Sequence, residues 1–320
     1  MISHTRIGTV GLGLMGSSIA TCILAAGHEV TSLIKDMSTA GEARERIRGF
    51  LTQLRGEGLL TDAPETILDR LTITDDVTRL AGIEVVIESI IEHVDEKKSV
   101  YQRLETVLSP TAIIGSNTSA IPVTILQQGL THPERVLGIH WAEPAHITRF
   151  MEIICGNDSD EQYAYKMAAI AESWGKEPSV LRKDIRGFIT NRIMYAMLRE
   201  AFHLVENGYA TIEDVDRSLR NDLGYWITFA GPFRFMDLTG IPAYLTVMKD
   251  LFPDLSNARE TPAMMEKLVA AGAKGVQNAQ GFYPYSTESA AHWEEQFIAF
   301  SYDIRKLARK YSSDAIEPQS

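Results

Sequence analysis

Cysteine is almost missing from this chain of 320 residues: only Cys22 and Cys155 are present. Two thiols cannot build a disulfide framework, and no Cys/His spacing matches a zinc site, so no metal is expected. Cys22 sits in an apolar helical stretch and Cys155 ends an apolar run, which reads as two buried thiols in a reducing compartment. Long apolar runs are missing too. None approaches the ~18 residues of a membrane span. The first ten residues lack the cationic flank, apolar stretch and cleavage site of a secretory signal, so a cytoplasmic protein with no membrane partner is expected. A basic excess is the third absence. Lysine and arginine number 31 against 42 acidic residues, a net charge of −11. That balance argues against a nucleic-acid partner or an anionic membrane surface. It leaves a phosphate ligand open, because backbone N–H groups hold phosphate without net charge.

What is present is an ordinary globular composition, 45% hydrophobic and 23% charged, in a chain long enough for about two domains. The first half alternates short β-prone runs with helical ones. Strands are expected at Arg6–Val10, Glu29–Ile34, Val85–Ile87, Ala112–Gly115, Val136–Ile139 and Phe150–Ile154. Helices are expected at Leu14–Ala26, Ala40–Arg55 and Asp95–Val107. This alternation means βαβ units and a mainly parallel sheet. After about Lys183–Gly187 strand-like runs nearly vanish. Amphipathic runs take over at Phe188–Asn207, Thr211–Asn221, Pro232–Leu238, Ala243–Leu251 and Pro262–Ala271. The predicted class is α/β, an N-terminal Rossmann-type doubly wound sheet over residues 1–184 followed by an all-α domain over 185–320. Residues 312–320 read as a frayed tail.

Gly11-Leu12-Gly13-Leu14-Met15-Gly16 follows the first expected strand and opens the first helix. Gly11 permits a tight turn, Gly13 lets the backbone approach a pyrophosphate, and Gly16 allows close helix–strand packing. The helix start, with Leu14 and Met15, then offers free N–H groups and a positive dipole end. Within a βαβ context this points to a dinucleotide. An acidic residue about 20 further on would bind a ribose 2′-hydroxyl and a cation a 2′-phosphate. Asp36 stands at that spacing, and Lys35 precedes it. NAD is therefore expected, with NADP left open.

These motifs, with others in order, resemble the 3-hydroxyacyl-CoA dehydrogenase family over roughly residues 5–285. The others are Ser116-Asn117-Thr118-Ser119, His132-Pro133-Glu134-Arg135 leading to His140, Glu152, Gly187-Phe188-Ile189-Thr190-Asn191-Arg192, Gly231-Pro232-Phe233 and Gly281-Phe282-Tyr283. The resemblance implies a dehydrogenase acting on a CH–OH group, a dinucleotide cofactor and a homodimer. It assigns the proton acceptor to His140 and its carboxylate partner to Glu152. Chemically such a pair fits, since alcohol oxidation needs a base for the hydroxyl proton while hydride leaves the carbon. Histidine titrates near neutrality, and a carboxylate on its far nitrogen fixes the tautomer. Without the resemblance, a histidine beside Trp141 in an apolar run would read as a core residue.

The same resemblance gives Ser119 a bond to the reacting oxygen, and Asn191 the orientation of substrate and base. It puts Asn117, Glu92 and Lys97 at the cofactor. Read alone, Ser119 is an N-cap before Ile121–Leu126, Asn191 a polar helix face, and Glu92 and Lys97 a solvated helix start. The stretch His140-Trp141-Ala142-Glu143-Pro144-Ala145-His146 resembles the branch that includes a pyridine-carboxylate dehydrogenase of vitamin B6 breakdown. The acyl-CoA branch carries His-Phe-Phe-Asn-Pro there. Oxidation of a small CoA-free hydroxy compound is the leading expectation, a 3-hydroxyacyl-CoA thioester the alternative, and a silent dinucleotide-binding protein the third reading. Trp226 reads either as a wall of an aromatic substrate pocket or as helix packing. Arg44, Arg46, Arg48 and Arg55, interspersed with acids, neither demand nor exclude CoA.

Overall fold

The computed structural model describes residues 5–311; the expected frayed tail, 312–320, lies outside them. Two compact units divide the chain, one ending at Thr190 and the other beginning at Asn191. In the first, the apolar runs form eight strands: β1 (Ile7–Val10), β2 (Val30–Leu33), β3 (Leu71–Thr74), β4 (Val85–Glu88), β5 (Ile113–Ser116), β6 (Val136–Trp141), β7 (Phe150–Cys155) and β8 (Glu177–Leu181). They lie in the order β3-β2-β1-β4-β5-β6-β7-β8. The sheet is parallel from β3 to β6, and β7 runs antiparallel to β6. Between them run α1 (Leu14–Ala25), α2 (Ala40–Gly56), α3 (Pro64–Leu68), α4 (Val94–Glu105), α5 (Val123–Gln127) and α6 (Glu161–Ser173).

The sheet is covered on both faces. Val85 and Ile87 of β4 belong to one apolar cluster with Ile19, Ile23, Ile47 and Leu51. Val86 between them joins a second cluster, with Tyr101, Leu104, Val123 and Leu126. That is the two-residue period of a strand, and burial on both faces explains the continuous apolar runs. Strand order reverses between β1 and β4, both hydrogen-bonded neighbours at the sheet centre. In doubly wound folds ligands bind at such a reversal, beyond the carboxyl ends of the strands.

Three strands depart from the expectation, and the helices Pro64–Leu68, Glu161–Ser173 and Thr287–Lys310 are not among the expected ones. Leu71–Thr74 and Glu177–Leu181 are edge strands, and β8 contains Pro178 and alternates exposed and half-buried residues, so neither offers a strong apolar signal. Strand β6 extends two residues past Ile139, which places His140 and Trp141 inside it.

The second unit is helical: α7 (Thr190–Glu206), α8 (Ile212–Asn221), α9 (Leu223–Thr239), α10 (Ile241–Leu251), α11 (Ala263–Ala270) and α12 (Thr287–Lys310). Thr211 caps α8 by accepting from the Asp214 N–H, as its sequence predicts. Helix α9 kinks where Gly231, at φ 65°, precedes Pro232. Trp226 stacks on Phe235 across that kink, with centroids 4.1 Å apart, and lines an apolar groove against Ile304 and Leu307 of α12; helix packing accounts for it. The unit leaves many large apolar side chains bare, among them Phe233, Trp293, Phe297 and Phe300. No helix among the described residues is long and apolar enough to cross a membrane.

Candidate active site

The glycine turn is built by close approach of backbone to backbone. Gly11 has φ 88°, and a Cβ there would stand 2.5 Å from the Ser89 carbonyl oxygen. A Cβ on Gly16 would stand 2.1 Å from the Gly11 carbonyl oxygen. Gly13 is different: nothing lies within 4 Å of the Cβ it lacks. Gly13 is the N-cap of α1 and makes no side-chain cap bond. The first N–H groups of α1, at Leu14, Met15 and Gly16, have no acceptor in their own helix. An open space over a helix N-terminus fits the pyrophosphate of a dinucleotide, both in shape and in sign of charge. From α2, Arg46 braces the turn by donating to the Leu12 carbonyl at 3.1 Å and the Ser17 hydroxyl at 3.2 Å.

Strand β2 ends at Leu33, whose carbonyl accepts from the Gly11 N–H at 2.9 Å. Lys35 and Asp36 follow and are exposed. Asp36 opens a short 3-10 turn and accepts from the Ser38 N–H at 2.9 Å. The hydrogen bonds from Ser38 hold its carboxyl below the usual carboxylate range.

Beyond the ends of β4 and β5 lies a charged cluster. Glu88, the last residue of β4, is fully buried. It accepts from Lys97 Nζ at 2.7 Å, the Tyr101 hydroxyl at 2.5 Å, the Ser116 hydroxyl at 2.9 Å and the Ile90 N–H at 2.7 Å. Lys97 is fully buried as well and reaches Glu92 at 3.4 Å. Glu92 keeps 40% of its side chain exposed. It accepts from the Thr118 hydroxyl at 2.5 Å and the N–H groups of Ser119 and Ala120 at 3.0 and 3.3 Å. Burial pushes the Glu92 carboxyl up, but the bonds from Thr118, Lys97 and the two amides outweigh it and hold it low. Burial and the neighbouring Glu88 carboxylate push the Tyr101 hydroxyl well above the ordinary tyrosine value.

Asn117 is fixed in the same loop. Its side chain donates to the Ser89 hydroxyl at 3.1 Å and accepts from the Trp141 N–H at 3.4 Å. Ser119 is no N-cap here: α5 starts at Val123 after Pro122, and the Ser119 amide belongs to Glu92.

His140 on β6 stands directly opposite Glu152 on β7 in the antiparallel ladder. Nδ1 of His140 lies 2.9 Å from Oε2 of Glu152. The other carboxylate oxygen accepts from the amides of Ile189 and Thr190 at 3.1 and 2.8 Å. Those amides are aimed by an unusual turn, with Gly187 at φ 85° and Phe188 at φ 52°. Positive φ is costly for a bulky residue and persists where surrounding packing dictates it; Phe188 is buried and packs on the His140 ring, 5.5 Å between centroids. Phe150 meets the ring edge-on at 5.4 Å. Burial pushes the Glu152 carboxyl up, and the bonds from His140, Thr190 and Ile189 overcome this and hold it below the usual glutamate range. A carboxylate on Nδ1 places the imidazole proton there and leaves Nε2 as the proton acceptor.

The stretch after His140 is anchored to the fold. The Ser18 hydroxyl of α1 meets Nδ1 of His146 at 2.7 Å and accepts from its N–H at 3.0 Å, while Phe50 of α2 stacks on the ring at 4.3 Å. Trp141 stacks on Trp174 at 5.9 Å. Glu143 is exposed.

Thus the fold joins His140 to Glu152, and Glu92 to Lys97 and the Asn117–Ala120 loop. Asn191 is the second residue of α7 and opens the helical unit, one peptide after Thr190. The sequence reading missed Glu88 and Tyr101; the available signal was an acid ending an otherwise apolar strand. Among the described residues no group of three or more His, Cys, Asp or Glu could hold a metal.

Comparison with known proteins agrees with this architecture. The family model for the 3-hydroxyacyl-CoA dehydrogenase NAD binding domain matches residues 6–185, and that for its C-terminal domain matches 187–285. The chain belongs to the 3-hydroxyacyl-CoA dehydrogenase family and is an NAD-dependent dehydrogenase acting on a CH–OH group. It is 33% identical over 296 residues to 5-formyl-3-hydroxy-2-methylpyridine 4-carboxylate 5-dehydrogenase of Mesorhizobium japonicum, covering 88% of this chain and 91% of that one. It is 31% identical to a probable 3-hydroxybutyryl-CoA dehydrogenase of Deinococcus radiodurans, over 88% of this chain and all of the other. The crystal structure of the pyridine-carboxylate enzyme, described as an NAD+-dependent dismutase, superposes with a TM-score of 0.88 at 29% identity, covering 97% of this chain and 100% of that one. The (S)-3-hydroxybutyryl-CoA dehydrogenase of Ralstonia eutropha superposes at 0.73 with 27% identity, covering 89% of this chain and 100% of that one.

Proposed function

We propose that this dehydrogenase oxidises the hydroxyl of a small, CoA-free hydroxy compound, with His140 as the proton acceptor. The observation that carries the role of His140 is its pair with Glu152, 2.9 Å apart and shielded from water. Nε2 of His140 takes the hydroxyl proton, and Glu152 holds the ring and stabilises the imidazolium. Ser119 bonds the reacting oxygen, and Asn191 orients the substrate. The residues that hold the cofactor are Gly11, Gly13, Leu14, Met15 and Gly16 at the pyrophosphate, Lys35 and Asp36 at the adenosine ribose, and Glu92 and Asn117 at the other end, where Lys97, fully buried, acts through Glu92. When bound, NAD supplies the hydride acceptor. Residues 1–184 serve as the dinucleotide domain and 185–320 as the substrate and dimerisation domain.

Two features support the CoA-free class. The pyridine-carboxylate enzyme matches nearly the whole chain, α12 included, and at a higher TM-score than the acyl-CoA enzyme. Three of the four arginines of α2 are also engaged within the fold. Arg44 donates to the Leu68 carbonyl, Arg46 to the glycine turn, and Arg48 to Glu45 and Glu65, which draws most of the positive charge of α2 away from a nucleotide phosphate. The hydrate of a formyl group presents the same H–C–O–H unit as an alcohol, so an aldehyde would use the same base. Acyl-CoA thioesters are the second reading, favoured by the Deinococcus relative. Exposed apolar faces on the helical unit, such as Trp293, Phe297 and Phe300 of α12, support a homodimer. Buried thiols support a cytoplasmic setting.

The test is reduction of NAD, and separately NADP, against 3-hydroxyacyl-CoA thioesters, their free acids and small aromatic alcohols and aldehydes. Turnover confined to CoA-free compounds supports the proposal. Fast turnover of a thioester with an inert free acid overturns it.

A further inference from the structure

We propose that Glu88 is a positioning residue for cofactor binding, acting through Lys97 on Glu92 and on the loop from Asn117 to Ala120. This rests on the assignment of Glu92 and Asn117 to the cofactor made above. Glu88 cannot itself serve a ligand. It is fully buried, and its two oxygens already take four donors, from Lys97, Tyr101, Ser116 and Ile90. A carboxylate has about four lone-pair positions, so its capacity is filled. Glu92 is the opposite case. One oxygen takes Thr118, Ser119 and Ala120, while the other meets Lys97 at 3.4 Å. With 40% of its side chain exposed, Glu92 has room to accept a ligand hydroxyl.

Lys97 is the link between them. A buried ammonium needs compensating charge. Glu88 takes it at 2.7 Å, which leaves Glu92 at 3.4 Å free to lean outwards. The register extends the effect, because Glu88 pairs with Val10, the residue before the glycine turn, and with Ser116, the residue before Asn117. One buried anion thus pins the ends of β4 and β5 together. With its charge removed, Lys97 draws on Glu92 alone, pulling that carboxylate inwards and away from the amides of Ser119 and Ala120.

The experiment compares NADH and ADP affinity in the wild type and in E88Q, Y101F and E92Q, each checked by thermal unfolding to be folded at the assay temperature. ADP carries the adenosine and the pyrophosphate but no nicotinamide end, so it reports the glycine turn and the Lys35–Asp36 loop. Expected is a rise in NADH Kd of about 10-fold in E88Q and about 3-fold in Y101F, with ADP Kd changed less than about 2-fold. Y101F keeps a test available where E88Q does not fold, since Tyr101 meets Glu88 from the sheet side of α4 and is fully buried. NADH and ADP weakening together in both variants, or neither weakening, overturns the inference. NADH weakened by E92Q but by neither E88Q nor Y101F also overturns it and leaves the cofactor assignment standing. NADH binding unmoved by E92Q removes Glu92 from the cofactor site, and the inference falls with it.

Discussion

Replacing Glu152 by glutamine keeps size and shape and changes one thing, the charge and donor pattern facing His140. In the wild type one oxygen accepts from His140 Nδ1 and the other from the amides of Ile189 and Thr190. The glutamine oxygen keeps the two amides, because an NH2 turned towards them would set donor against donor. Its NH2 then faces Nδ1, which must accept, so the ring proton moves to Nε2. A histidine carrying its proton at Nε2 cannot take one from the substrate. Loss of general-base function is worth roughly 10²–10⁴ in turnover, and carboxylate-to-amide exchange in a histidine dyad reaches about 10⁴ with geometry intact. Stability should fall by only about 1–2 kcal/mol, the difference between a charge-assisted and a neutral hydrogen bond in a buried site. The assay is kcat from reduced-nicotinamide absorbance, alongside cofactor Kd and thermal unfolding. Expected are a kcat lowered at least 100-fold and an unchanged cofactor Kd. Turnover within a factor of about three of wild type would remove Glu152 from the mechanism. A loss of activity that tracked loss of cofactor binding would assign it to scaffolding instead.

His140→Ala should lower turnover by about 10²–10⁴ while NADH titration remains wild-type; full activity would sink the proposed base. The glycine turn offers a contrast between two alanines. Gly13→Ala adds a Cβ with nothing within 4 Å, so thermal stability should hold while NAD affinity drops. Gly16→Ala puts a Cβ 2.1 Å from a backbone oxygen, so both should drop; equal unfolding midpoints would contradict this packing. Glu152 and Glu92 have carboxyls held below the usual glutamate range. A depressed folded value means their stabilisation is fully present above the unfolded glutamate value and is lost as pH falls through the folded ones. Thermal midpoints should therefore decline on acidification, and less steeply in Glu152→Gln, whose position no longer titrates; parallel acid limbs would argue against the pairing.

Much of this protein is local in sequence and could be read there. The glycine turn, the cap at Thr211 and the change from strand to helix periodicity near residue 187 are set by neighbours within a few positions, where propensity and capping operate. The family motifs carried the class of chemistry. Other features are decided only when distant segments meet. Twelve residues separate His140 from Glu152, but spacing alone does not give register, and a one-residue slip in an antiparallel pair would turn the two side chains to opposite faces. The ladder that sets His140 opposite Glu152 depends on β5 and β8 flanking it. Edge strands β3 and β8 were invisible because an edge is half solvated and lacks a continuous apolar run. Glu88, Lys97, Tyr101 and Ser116 converge from β4, α4 and β5. In sequence each is an ordinary polar residue; folding takes the group out of water, and a buried charge must then find its partners or not be buried at all.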